Sequence, residues 1–194
     1  MALPGVQSGP ATNRDEVVGR RRAVFLDRDG VINESIVREG KPYAPRSLDG
    51  FKLLPGVKEA LQSLRAAGFL NIVVTNQPDV ATGKAKREDI DAIHAELKKL
   101  PIDAVKVCFH SDAEQCACRK PRPGLLLEAA DAFSIDLQAS SLVGDRWRDV
   151  GAAHAAGCTA YFVDYRYNER RPDSPYIEVK SLPEAAALII RSNK

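Results

Sequence analysis

The chain has 194 residues, of which 44% are hydrophobic and 28% are charged, with 28 lysines and arginines against 26 acidic residues. This length fits one domain with its own hydrophobic core, and a formal net charge of +2 is too small to indicate a nucleic-acid partner. No apolar run reaches the roughly 18 residues that a membrane helix needs, and sustained heptads are absent. We therefore expect a soluble domain with neither a nucleic-acid nor a membrane partner.

The first 22 residues mix proline, glycine and charge, and they lack the apolar centre of a signal peptide. We expect a flexible N-terminal leader over residues 1–22. The remaining residues, 23–194, are predicted to form the single domain.

Short apolar runs predict five strands, and segments with apolar residues at helical spacing predict five helices. The predicted strands are 23–26, 71–74, 104–108, 141–144 and 159–163, and the predicted helices are 55–69, 86–100, 123–133, 148–157 and 182–191. Alternation of the two predicts an α/β fold in which helices cover both faces of a mostly parallel, Rossmann-like sheet. About 25 residues separate Gly30 from Gly56, so no large cap domain is predicted.

Polar side chains follow three of the predicted strands. Asp27 and Asp29 come after the first strand, Thr75 after the second and Asp145 after the fourth. The carboxyl ends of parallel strands meet at the edge of a sheet where ligands bind. Close carboxylates repel one another unless a cation or a shared proton relieves them, and oxygen ligands suit Mg²⁺. A lone aspartate after a strand is usually a turn or cap residue, so the Mg²⁺ prediction depends on the whole set.

Three cysteines and a histidine lie within 11 residues, at Cys108, His110, Cys116 and Cys118. Three thiolates and one imidazole are the ligands of a closed, structural Zn²⁺ site, which predicts a small zinc loop over 108–118. A disulfide framework is the alternative, but it needs an oxidising compartment and leaves His110 without a role. The zinc interpretation predicts a reduced, cytoplasmic location and leaves Cys158 outside the site. A non-enzymatic zinc-binding module is a remote alternative, because the usual finger spacing is absent.

Four motifs in order resemble those of the haloacid dehalogenase superfamily of phosphatases. They are Asp-x-Asp-x-Val beginning at Asp27, the strand-ending Thr75, the lysine of Cys-Arg-Lys-Pro at Lys120, and Gly-Asp at Asp145 with a later acid at Asp149. The resemblance implies the fold of that superfamily and Mg²⁺-dependent hydrolysis of a phosphomonoester through a phosphoaspartyl intermediate.

The resemblance also implies roles for individual residues. Asp27 would be the nucleophile, and Asp29 would protonate the leaving oxygen and then activate water. Thr75 and Lys120 would hold the phosphoryl oxygens. Mg²⁺ would be held by Asp27, by Asp145 and by the backbone carbonyl of Asp29. Together these five residues form the predicted catalytic centre.

Two residues near this centre have open roles. Asp149 either orients Lys120 or a metal-bound water, or caps the helix that follows it. Arg28 is either a substrate contact or a solvated arginine. The sequence favours neither alternative in either case.

The Cys-x-His…Cys-x-Cys-Arg-Lys-Pro loop is similar to that of the zinc-containing, capless subgroup with D,D-heptose 1,7-bisphosphate phosphatases and histidinol-phosphate phosphatases. The flanking motifs are most similar to the heptose branch, which implies removal of the 7-phosphate of a heptose bisphosphate. Because no predicted helix leaves an apolar face unpaired, we expect a monomer. Histidinol phosphate or another sugar or polyol phosphate is the alternative, because Thr82 replaces a usual arginine and the gap after His110 is short. The substrate contacts implied are Arg28, Ser35, Arg38, Asn76, Gln77, Arg119 and Arg146.

Overall fold

The computed structural model describes residues 19–193. Most of the predicted leader, residues 1–18, lies outside the described residues. Its last two residues pair with the domain: the Arg21 N–H donates to the Ser134 carbonyl oxygen at 2.8 Å, and Arg22 is the first residue of a strand. The fold therefore includes residues just before the predicted boundary at residue 23.

Six parallel strands form one sheet, and a two-stranded antiparallel hairpin lies apart from it. In chain order the strands are β1 (Arg22–Leu26), β2 (Ile36–Arg38), β3 (Lys41–Tyr43), β4 (Phe69–Asn76), β5 (Ala104–Cys108), β6 (Ser141–Gly144), β7 (Thr159–Val163) and β8 (Ile177–Val179). The sheet order is β5-β4-β1-β6-β7-β8, and β2 pairs with β3. The predicted parallel α/β sheet is confirmed.

Five helices connect or follow these strands. They are α1 (Val57–Ala66), α2 (Arg87–Leu97), α3 (Gly124–Phe133), α4 (Trp147–Ala156) and α5 (Leu182–Ser192). Each lies within three residues of its predicted bounds. The hairpin and β8 were not predicted, because these short strands expose most of their residues and so lack an apolar run.

Alternate side chains of β1 enter two separate cores. Val24 and Leu26 lie in a cluster with residues of α1 and α5, and Ala23 and Phe25 lie in a cluster with residues of α3 and α4. All four side chains are completely buried. Burial on both faces explains why β1 reads as a continuous apolar run rather than an alternating one.

The chain leaves β1 towards β4 on one side and later returns to β6 on the other, so the strand order reverses at β1. In open α/β sheets a crevice forms beyond the strand ends at such a point. Within residues 19–193 the insertion after β1 is only the hairpin and short turns, which agrees with the prediction of no large cap. None of the described helices combines the length and the apolar character needed to cross a membrane.

Candidate active site

A cavity of about 430 Å³ lies beyond the carboxyl ends of β1, β4 and β6. Asp27 follows β1, Asn76 ends β4 and Asp145 follows β6, so the central strands supply its floor. The hairpin β2–β3 and the loop after β5 supply walls. The predicted residues that line the cavity are Asp27, Asp29, Ser35, Asn76, Gln77, Arg119, Lys120, Asp145 and Arg146.

Three buried carboxylates surround one buried lysine at the floor. One carboxylate oxygen from each of Asp27, Asp145 and Asp149 lies within 4.8 Å of the others. The Lys120 Nζ lies 2.9 Å from Asp27 Oδ1 and 2.5 Å from Asp149 Oδ1. It also donates to the Val74 carbonyl oxygen at 2.7 Å. All three ammonium hydrogens therefore have an acceptor, and Lys120 has no hydrogen left to donate to Asp145.

Asp145 has the features of a metal ligand. Both of its carboxylate oxygens are buried and make no hydrogen bond of normal length and angle with the described residues, although the Tyr167 hydroxyl is close enough to oppose the rise of the Asp145 pKa. Burial raises its pKa well above the ordinary value, and the charges of Asp27 and Asp149 add to the effect. Three carboxylates and one ammonium leave two negative charges uncompensated, which is the charge of one divalent cation. The donor set therefore fits Mg²⁺.

The nucleophile candidate and the lysine influence each other's ionisation. Burial raises the pKa of Asp27 to about 6, although the Lys120 charge opposes this shift. Burial lowers the pKa of Lys120, but Asp149 and Asp27 outweigh burial and the net shift is upward. At neutral pH the pair therefore consists of a carboxylate in contact with an ammonium group.

Asp149 fills both of the roles that were left open. Its Oδ1 contacts Lys120, and its Oδ2 accepts a hydrogen bond from the Arg146 N–H at 3.0 Å, at the start of α4. A Cβ atom at Gly144 would lie 2.1 Å from the Asp149 Cβ, so only glycine leaves room for this carboxylate. The acid thus caps the helix and orients the lysine together.

Asp29 is held at the cavity wall by three neighbours. Its carboxylate accepts hydrogen bonds from Arg28, Asn33 and Gln77 at 2.9–3.0 Å. Thr75 is buried, and its Oγ1 accepts a hydrogen bond from the same Gln77 amide at 2.8 Å. Thr75 therefore does not line the cavity, although Gln77 connects it to Asp29.

Two predicted substrate contacts lie away from the cavity. Arg28 is completely buried and pairs with Asp29, so the alternative of a solvated side chain is wrong, and Arg28 is not among the residues that line the cavity. Arg38 is exposed on β2 and does not line the cavity. Thr82, which replaces the usual arginine, is also exposed, and its hydroxyl donates to the Pro78 carbonyl oxygen at 3.2 Å. The cations that face the cavity come from other segments.

The four predicted zinc ligands converge. Their donor atoms lie within 4.8 Å of one another, and five of the separations are 3.1–3.6 Å. Bonds of 2.0–2.3 Å to a tetrahedral zinc ion place the ligand atoms roughly 3.5–3.8 Å apart. Disulfide sulfurs lie about 2.05 Å apart, much closer than these thiols. The geometry therefore fits zinc, with Cys108, His110, Cys116 and Cys118 as the candidate ligands.

The loop after β5 is tied to β4 through one asparagine. The Asn76 side chain accepts from the Lys120 N–H and donates to the Lys120 carbonyl oxygen, both at 3.1 Å. On the other side, a Cβ atom at Gly124 would lie 2.4 Å from the Ala117 carbonyl oxygen, so α3 begins in close contact with the loop. The loop that carries the candidate zinc ligands and Lys120 is thus held by β4 on one side and by α3 on the other.

One wall of the cavity was not predicted from the sequence. The segment after β7 approaches the site: the Tyr165 hydroxyl donates to the Gly30 carbonyl oxygen at 3.0 Å, and Glu169 holds the Arg146 guanidinium through two nitrogens. In the zinc loop, Asp112 likewise accepts from Arg119 at 2.7 Å. The charged and aromatic run 164–171 directly follows the predicted strand 159–163. Its position at a strand end could have indicated that it contributes to the site.

Replacing Gly30 by alanine is expected to weaken Mg²⁺ binding at least about tenfold. Gly30 has a φ of +84°, and a Cβ atom there would lie 2.0 Å from Asp145 Oδ2, so this carboxylate must move. Gly157→Ala is a matched control, because its φ is +78° and no atom lies within 4 Å of an added Cβ. Calorimetric titration with Mg²⁺ measures the difference. Equal affinities in the two variants would contradict a ligand role for Asp145.

Known proteins are similar to this chain in sequence and in structure. The family model described as HAD-hydrolase-like matches residues 117–177. The D-glycero-beta-D-manno-heptose-1,7-bisphosphate 7-phosphatase of Rhodopseudomonas palustris is 36% identical over 155 residues, which cover 73% of this chain and 83% of that protein. The D-glycero-alpha-D-manno-heptose-1,7-bisphosphate 7-phosphatase of Mycobacterium tuberculosis is 38% identical over 152 residues, which cover 75% and 78%.

A solved structure is similar over nearly its whole length. The D,D-heptose 1.7-bisphosphate phosphatase from B. bronchiseptica, complexed with magnesium and phosphate, superposes with a TM-score of 0.76 at 28% identity. The match covers 88% of this chain and 99% of that one.

Proposed function

The chain belongs to the haloacid dehalogenase-like hydrolases, in the branch of the heptose bisphosphate phosphatases, and on this basis we propose that it removes the 7-phosphate of D-glycero-D-manno-heptose 1,7-bisphosphate. One observation carries the proposal most directly. Asp27 lies buried at the switch point of the sheet, in contact with Lys120 and beside the buried Asp145. That arrangement suits a nucleophile facing an anionic substrate.

In the proposed reaction Asp27 attacks phosphorus in line and forms a phosphoaspartyl intermediate, which water then hydrolyses. Asp29 gives a proton to the leaving sugar oxygen and later takes one from the water. Lys120 balances the charge that would otherwise repel the phosphate from Asp27. These steps need one nucleophile and one acid–base group, and the two side chains line the same cavity.

Mg²⁺ would be held by Asp27, Asp145 and the backbone carbonyl of Asp29, and when bound it supplies the positive charge that brings carboxylate and phosphate together. Asp145 supports this, because its buried oxygens make no hydrogen bond of normal length and angle with the described residues. Zn²⁺ would be held by Cys108 and the three other ligands of the loop. With four protein ligands it has a structural function, which is to fix the backbone that carries Arg119 and Lys120.

The cavity suits a substrate with a second anionic end. Lys41, Arg119, Arg146 and Arg148 line it, and Lys120 lies at its floor. A volume of about 430 Å³ is within the range of small-molecule sites. All three arginines pair with acids of the chain, Arg119 and Arg148 with Asp112 and Arg146 with Glu169. A phosphate group of the substrate can replace such an acid as the partner. Arg119 and Arg146 are therefore the proposed contacts for the phosphorylated sugar, together with Ser35, Asn76 and Gln77.

Phosphate release from a panel of substrates tests the proposal. We expect the two anomers of D-glycero-D-manno-heptose 1,7-bisphosphate to have a kcat/KM at least about tenfold above that for histidinol phosphate or simple sugar phosphates. Both anomers are needed, because relatives named for each have similar identity to this chain. EDTA is expected to abolish release, and added Mg²⁺ to restore it.

Other results would change the assignment. A preference for histidinol phosphate would move the chain to the alternative branch, and phosphate release insensitive to EDTA would contradict the Mg²⁺ site. An inactive protein that still binds zinc would support the non-enzymatic module. A monomeric state, a cytoplasmic location and the absence of a nucleic-acid partner remain predictions.

A further inference from the structure

The carboxylate of Asp29 has an unusually complete set of donors. Arg28 Nε donates to Oδ1 and Arg28 Nη2 to Oδ2, both at 3.0 Å. Asn33 and Gln77 add one hydrogen bond each, at 2.9 Å. The plane of the carboxylate is therefore set mainly by the plane of the guanidinium group.

Arg28 itself touches neither solvent nor the cavity. It is 0% exposed, which is rare for an arginine because burial of a charge is costly. Two of its nitrogens are used by Asp29. The third, Nη1, lies 3.2 Å from Nε2 of His94, in a buried contact. His94 therefore provides the anchor for the guanidinium group on the side away from Asp29.

His94 is a polar residue on the buried face of α2, beside the apolar Ile90, Ile93 and Leu97. It is 7% exposed. Burial and the Arg28 charge lower its pKa to about 4, so the imidazole is neutral at physiological pH. Because an arginine only donates hydrogen bonds, Nε2 of His94 must be the acceptor and the ring proton must lie on Nδ1.

We propose that His94 is a positioning residue of the phosphatase reaction: through Arg28 it fixes the orientation in which the Asp29 carboxylate faces the cavity. The inference rests on the proposed function, in which Asp29 is the acid–base group. Proton transfer to the leaving oxygen requires a donor oxygen within hydrogen-bond reach, and a displacement of about 1 Å can cost about a hundredfold in rate. Without His94, Nη1 of Arg28 loses its buried acceptor and the guanidinium plane is free to turn.

Substitutions at His94 separate positioning from ordinary packing. His94→Leu removes the acceptor, and we expect kcat to fall about tenfold or more while KM changes less than about twofold. His94→Gln places an amide oxygen near the position that Nε2 occupies in the wild type, where it can accept from Arg28. We therefore expect this variant to keep most of the wild-type kcat. Leu97→Val is the control on the same helix. Leu97 is completely buried in the apolar core and has no polar atom to offer Arg28, so the variant lowers Tm and keeps kcat at 25 °C.

A measurement on the wild-type protein tests the contact without any variant. Nitrogen-15 NMR of the histidine side chains at pH 7 is expected to show His94 with an unprotonated Nε2 and a protonated Nδ1. A proton on Nε2 would overturn the inference, since that nitrogen then cannot accept from Arg28.

The kinetic outcomes distinguish this inference from the proposed function. A wild-type protein that releases no phosphate from any substrate overturns both. An active wild type with an unchanged kcat in His94→Leu, or with equal losses in His94→Leu and His94→Gln, overturns the role of His94 alone. Loss in the leucine variant with recovery in the glutamine variant supports it.

Discussion

Asp27→Asn is expected to reduce kcat for phosphate release by at least about a thousandfold, because the amide is a poor nucleophile and no other carboxylate contacts Lys120 from the same position. Substrate affinity should fall much less, since the cations that line the cavity remain. Single-turnover measurements with the heptose bisphosphate and with an aryl phosphate give both quantities. Substantial activity on either substrate would remove Asp27 as the nucleophile.

The same substitution is expected to stabilise the protein when Mg²⁺ is removed. Burial raises the pKa of Asp27 from 3.8 to about 6, so its ionised form lowers the free energy of unfolding. The difference between these two pKa values corresponds to a decrease of at most about 3 kcal/mol in the free energy of unfolding at pH 7. Because the folded-state value is the higher one, wild-type stability falls as pH rises from about 4 to about 6. The difference between the variant and the wild type is therefore expected to grow over this interval and to level off above it.

Urea unfolding in EDTA at several pH values measures this difference. Asp131→Asn is the matched control, because Asp131 is exposed on α3 and the same chemical change there relieves no buried charge. An Asp27→Asn protein no more stable than the wild type at pH 7 would show that Lys120 already compensates the acids.

Loss of the zinc site is the second large effect. Cys118→Ser is expected to lower the zinc content from one ion per chain to nearly none and to lower Tm by about 10 °C. We expect kcat to fall at least about a hundredfold, because residue 118 lies two positions before Lys120 and the loop backbone loses its support. Elemental analysis, thermal unfolding and steady-state kinetics give the three quantities.

Cys158 provides the control for this experiment. It is buried at 7% exposure and lies outside the ligand cluster, so Cys158→Ser tests the loss of a buried thiol without the loss of a metal ligand. We expect full zinc content and nearly full kcat in this variant. A Cys118→Ser protein that keeps kcat would show that the loop holds Lys120 without zinc.

The central strands and the residues that follow them were predictable, because a strand buried on both faces leaves an uninterrupted apolar run. Asp27 and Asp145 follow such runs, and their convergence is a consequence of parallel topology. The convergence of the four candidate zinc ligands was predictable for a different reason: all four lie within 11 residues, so the chain has little freedom to separate them.

The partners of these residues were not predictable from spacing. The sequence left Arg28 open between a substrate contact and a solvated side chain, because its surroundings depend on His94, which is 66 positions away on α2. The Glu169 pairing with Arg146 likewise spans 23 positions. Such contacts depend on how helices and loops pack over the sheet, which periodicity does not report. Asp149 shows the same limit, since one side chain satisfies two roles that the sequence presents as alternatives.

The double hydrogen bond between the Asn76 side chain and the backbone of Lys120 matters for protein engineering. An aspartate there would oppose one carbonyl oxygen with another acceptor, and a leucine would leave both backbone groups unpaired. The asparagine side chain supplies both a donor and an acceptor, so it pairs with the Lys120 backbone as a backbone amide of a further strand residue would. Anyone who transplants this cysteine-rich loop into another sheet will therefore need an asparagine at the receiving strand end as well as the four ligands.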